Sequence, residues 1–82
     1  MPTLRGTLKK QLKNNKLSIT HNYKNMVFKL PNNFFQSLDR EGEYVNIKYM
    51  MYQMVEVKYH IKKYKFDNIE GITNVVEQIR LI

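Results

Sequence analysis

Lysine dominates the chemistry available to this chain. Fourteen Lys and Arg face seven Asp and Glu, for a formal net charge of +7 over 82 residues. The basic side chains form two groups. Arg5, Lys9, Lys10, Lys13, Lys16, Lys24 and Lys29 all lie in the first thirty residues, which hold no acid. Lys58, Lys62, Lys63 and Lys65 form the second group. There, from Tyr59 to Phe66, aromatics and lysines interleave as Tyr-His-Ile-Lys-Lys-Tyr-Lys-Phe. Ammonium groups grip phosphates, and rings between them give bases a surface to stack on. The same pattern also suits a solvated face with its rings turned into the core.

Other chemistry is poorly supplied. The two histidines, His21 and His60, are far apart in sequence. Glu56 and His60 are four residues apart, but two groups do not close a metal site. Gly6, Gly42 and Gly71 are isolated, so no phosphate-cradling glycine loop can be built. Ser18 and Ser37 sit in no nucleophile elbow. The acids Asp39, Glu41 and Glu43 cluster beside Arg40 and Gly42, as solvated turn charges do. The six tyrosines suit packing or an interface better than catalysis. The chain is therefore expected to be no enzyme and to need no cofactor or metal.

The elements that must position the lysines are those of one small domain, residues 1–82. A chain this short buries a modest fraction of its surface, and pairing with a second copy would enlarge its core. With no cysteine, disulfides and thiolate metal sites are excluded. That composition is in keeping with a reducing compartment, and the cytoplasm is the expected location. No apolar run reaches the roughly 20 residues that span a bilayer. The basic N-terminus lacks the apolar core of a secretory signal.

The hydrophobic spacing predicts an α+β fold: a small antiparallel sheet or barrel-like core with short helices. Leu4, Leu8 and Leu12 recur every four residues, which predicts a helix ending near Asn14 and Asn15. Met26, Phe28 and Leu30 alternate as a strand, which Pro31 should end. Pro31 can then open a short helix carrying Phe34, Phe35 and Leu38. Gly42 marks a turn. From Tyr44 to Phe66 two readings stand: extended structure bent near Gln53, or a helix with Ile47, Met50, Met54, Val57, Ile61 and Tyr64 on one side. The C-terminal stretch is equally open. Asp67 and Glu70 could form a capping box for a helix, or a turn over 67–73 could lead into a strand from Asn74 to Ile82.

The stretch from Leu17 to Ile47 resembles the AbrB/SpoVT/MazE-like swapped-hairpin family of DNA-binding proteins. The matching residues are Val27 to Pro31, then Phe34, Phe35 and Leu38, then Gly42 to Ile47. The resemblance implies an intertwined homodimer that binds DNA, with Lys24 and Lys29 as carriers near the first turn. It departs in a short link over Asp39 to Gly42, in the basic N-terminal segment, and in the 35 residues after Ile47.

The expected role is a non-catalytic nucleic-acid-binding protein, such as a small DNA-binding transcriptional regulator, that contacts phosphates through lysines. Arginine is scarce (Arg5, Arg40 and Arg80), which favours weakly specific contact. The alternative is an inhibitor or adaptor that takes an acidic protein partner on exposed Tyr, Met and Phe, with Tyr49, Met50, Tyr52 and Met54 as candidates. Association of Leu4, Leu8 and Leu12 with a membrane surface ranks third.

Overall fold

The computed structural model describes residues 2–82. Six strands make one sheet: β1 (Thr3–Leu12), β2 (Lys16–His21), β3 (Lys24–Lys29), β4 (Ser37–Leu38), β5 (Met54–Phe66) and β6 (Ile69–Leu81). A single 3-10 turn, Ile47–Met50, precedes β5. Strands β1, β2 and β3 form an antiparallel meander, and β5 returns to lie beside β1. That order is a Greek key. Strand β6 pairs antiparallel with β5 and then parallel with β3, through Phe28–Asn74 and Lys29–Val75. The sheet thereby closes into a five-strand barrel, and the two-residue β4 adds to β6 outside the ring.

This corrects the α+β expectation. Among the described residues there is no α-helix. The error at the N-terminus has a simple cause. A spacing of four fits a helix, but it is also twice the period of a strand. Leu4 and Leu8 face the barrel interior from β1, opposite Val57 of β5 and Ile19 of β2. The helix expected after Pro31 is prevented at Asn33, whose φ of 57° leaves the helical region. The capping-box helix at Asp67 is a hairpin turn, and β6 begins at Ile69. The extended reading of the central stretch describes Met54–Phe66, while the 3-10 turn and an irregular bend occupy the residues before Gln53.

Alternation fills the core. Leu8, Leu17, Ile19, Phe28, Val55, Val57 and Ile79 are fully buried, and Met50 closes the cluster from the 3-10 turn. Phe28 meets Tyr59 edge-on, with ring centroids 5.1 Å apart. Gly6 is required by closure, because a Cβ there would lie 2.5 Å from the Thr20 carbonyl oxygen. Asparagine makes the turns. Asn22–Tyr23 and Asp67–Asn68 are two-residue loops with positive φ at both positions, the geometry that matches strand twist. Asn14 and Asn15 adopt the same region between β1 and β2.

Strands β5 and β6 are 13 residues each, longer than the barrel needs. The register shifts between Lys58 and Tyr59, so Glu77 has no partner across the ladder. Such a bulge bends and twists the pair. Beyond it, residues 61–70 are all exposed. The two strands project as an arm, and the molecule extends 44 × 29 × 25 Å. No helix among the described residues is long and apolar enough to cross a membrane.

Candidate nucleic-acid interface

Burial of Leu17, Ile19 and Phe28 turns their neighbours outward. The outer ladder of β2 and β3 therefore pairs Lys16 with Lys29, Ser18 with Val27, and Thr20 with Asn25. Lys10 of β1 adjoins Ser18 on the same face. Like charges directly opposed on a sheet are destabilising, so the Lys16–Lys29 pair has no structural rationale of its own.

The arm faces this ladder. Strand β6 leaves β3 after two paired residues, and the diverging strands open a cleft of about 470 Å³. Lys16, Val27 and Lys29 line one side, and Lys62, Tyr64 and Thr73 line the other. No carboxylate among the described residues lines it. Three lysines thus share with Tyr64 a cleft that no carboxylate lines, while Tyr64 also borders a depression with Lys63, Lys65 and Glu70. Tyr64 lies across Gly71, where any Cβ would overlap its ring. Glycine at that site lets the phenol lie against the arm's backbone, with half of the residue's surface exposed.

The remaining basic residues are distributed differently. Arg5 pairs with Glu56, Nε to Oε2 at 3.0 Å, and Arg80 approaches the same carboxylate at 3.8 Å. Lys58 borders that cluster. Lys9 sits at a bulge of β1 and Lys13 in the β1–β2 turn. Lys24 lies opposite His21, at the far end of the β2–β3 hairpin from Lys16. Lys63 and Lys65 alternate to the other side of the arm, where Lys65 faces Glu70. The N-terminal group thus forms no single helical face. Its members occupy both ends and several sides of a barrel. Lys16, Lys29 and Lys62 come together instead, from residues that sequence distance keeps apart.

Comparison of the chain with protein-family models, curated proteins and solved structures finds no match.

Both histidines have local partners. His21 Nδ1 is 2.8 Å from the Arg5 carbonyl oxygen, and His60 Nδ1 contacts Glu77 at the bulge. Among the described residues no three His, Cys, Asp or Glu side chains converge as a metal site would require.

Sequence reasoning missed one further feature. Gln11, Asn15, Asn32, Asn33 and Asn46 converge with Tyr44 on a second cleft, of about 570 Å³, next to the first. The sequence offered only two pairs of adjacent asparagines, of which Asn14 and Asn15 marked the end of the expected helix. Nothing in the spacing brings Gln11 to Asn46.

Proposed function

We propose that this chain binds nucleic acid without catalysis, taking the phosphate backbone along the cleft between the β2–β3 face and the β5–β6 arm. One observation carries the reading: Lys16, Lys29, Lys62 and Tyr64 line one cleft, and no carboxylate lines it with them. Ammonium groups left unpaired by the protein release counterions when phosphate arrives, which supplies sequence-independent affinity. The Tyr64 ring offers a stacking platform to any base.

The architecture is consistent with this reading. A five-stranded Greek-key barrel is also the OB-fold design, in which strands 2 and 3 and the loops after strands 1 and 4 of the barrel hold oligonucleotides. The elements in those places here are β2, β3, the β1–β2 turn and the arm. Architecture alone does not assign function, and the weight rests on the lysines.

The test compares two triple variants that remove equal charge. Lys16→Gln/Lys29→Gln/Lys62→Gln should weaken binding of a labelled mixed-sequence oligonucleotide about tenfold or more at low salt. Lys58→Gln/Lys63→Gln/Lys65→Gln should weaken it much less. Equal losses would mean that net charge, not the cleft, attracts the ligand. Absence of binding to the unaltered protein would end the proposal.

A further inference from the structure

The amide-lined cleft lies at the barrel end where β1 turns into β2 and β3 gives way to Pro31. It is built from three segments. Gln11 and Asn15 flank the first turn, Asn32 and Asn33 follow β3, and Tyr44 and Asn46 precede the 3-10 turn. The Leu30 amide donates to the Asn15 carbonyl at 2.7 Å, which ties the first two segments together. Asn15 Nδ2 donates to Asn32 Oδ1 at 3.3 Å, and Asn46 Oδ1 accepts from the Lys48 amide at 3.1 Å. Each of these contacts occupies one end of a side-chain amide. The other ends remain: an acceptor on Asn15, and donors on Asn32 and Asn46.

The cleft's chemistry is narrow. None of its lining residues is charged. A phosphate would find no ammonium group there. A neutral ligand with hydrogen-bonding edges and a flat face would find amides for the edges and the Tyr44 ring, more than half exposed, for the face. Its volume falls within the range of small-molecule sites.

Its position selects among such ligands. Asn15 precedes Lys16, and Leu30 follows Lys29. The opposed lysines therefore stand at the wall between the two clefts, with cationic surface on one side and amides on the other. A nucleotide has the same division, an anionic phosphate joined through a sugar to a neutral base.

We infer that the amide cleft receives one nucleobase turned out of a single strand whose neighbouring phosphates rest on Lys16 and Lys29. This rests on the function proposed above and adds to it a strand type and a base-reading site. A base within a duplex keeps its pairing edge occupied, whereas a splayed base presents it. A side-chain amide offers one donor and one acceptor, which adenine meets with N1 and N6 on the pairing edge that a splayed base presents. Adenine is therefore the base this site prefers.

The experiment uses two short oligothymidines, one carrying a single central adenine. The Tyr64 platform tolerates any base, so the difference between the two ligands reports on the amides. The adenine-bearing strand should bind about 5- to 100-fold tighter, the range for one good bidentate contact. Asn32→Ala/Asn46→Ala, which removes both free amide donors, should erase that preference while changing all-thymine affinity much less. Should the double variant not fold, Asn32→Ala alone should narrow the preference. Equal binding of both strands by the unaltered protein, or a preference that survives in the variants, would overturn the inference and leave the lysine cleft standing. Binding of neither strand would instead refute the proposed function itself.

Discussion

Lys16 and Lys29 occupy directly opposed positions of the β2–β3 ladder, and both side chains line the cleft beneath the β5–β6 arm. Opposed like charges cost stability. Replacing one of them should therefore move folding and binding in opposite directions. Lys16→Glu is expected to raise unfolding free energy by about 0.2–1 kcal/mol, by turning repulsion into attraction. The same change should weaken oligonucleotide binding sharply, because it places a carboxylate among phosphates. Urea unfolding and a binding titration on one sample check both signs.

Arg5 gives the contrasting case. Its guanidinium is held by Glu56 on the far side of β1. Arg5→Gln should leave nucleic-acid affinity within about twofold of the unaltered protein, and an exposed pair of this kind contributes only about 0–1 kcal/mol to stability. An anisotropy titration suffices. A large loss of affinity would show that the surface around β1 and β5 takes part in binding.

Tyr64 and Gly71 act as a unit across the arm. Tyr64→Ala should cost about 1–3 kcal/mol of binding to a single strand, the worth of one stacked base. Gly71→Val should lower affinity as well, since its side chain would displace the ring from the arm. Neither change touches the barrel core, so urea midpoints should stay nearly constant.

Core substitutions should behave otherwise. Phe28 is fully buried and edge-on to Tyr59. Phe28→Ala should cost about 3–5 kcal/mol, a large part of the stability of a domain this small. Gly6→Ala should cost about 1–3 kcal/mol, the usual range for overpacking, because the Thr20 carbonyl is backbone and cannot swing aside. Thermal unfolding of each variant checks these values.

The strands around the core were legible where alternation was unambiguous. Met26 and Phe28 read as a strand and lie in β3, whereas Val55, Val57 and Tyr59 of β5 fell in a stretch that suited a strand and a helix alike. Leu4 and Leu8 misled because their spacing satisfies two periodicities at once, while the bulge at Lys9 turns Leu12 to the face of Lys16. The hairpin tips carry no glycine: asparagine, aspartate and tyrosine take the positive φ values there. Asp67 and Glu70 suited a helix start and a turn equally, and Asp67–Asn68 is the tip of the arm. The candidate site was legible only in its residue types. Every lysine of the cleft stood among the expected binding residues, but barrel closure decides which of them meet. The pairing of β3 with β6 that brings Lys62 to Lys16 and Lys29 spans more than forty residues of sequence. No local pattern reports it.

The most direct test of the central claim is the slope of log binding constant against log salt, for the unaltered protein and for Lys16→Gln/Lys29→Gln/Lys62→Gln. Three lost contacts to a single strand, at about 0.7 each, should make the slope shallower by roughly two. A slope unchanged by the three substitutions would contradict the account, since the phosphates would then be held elsewhere.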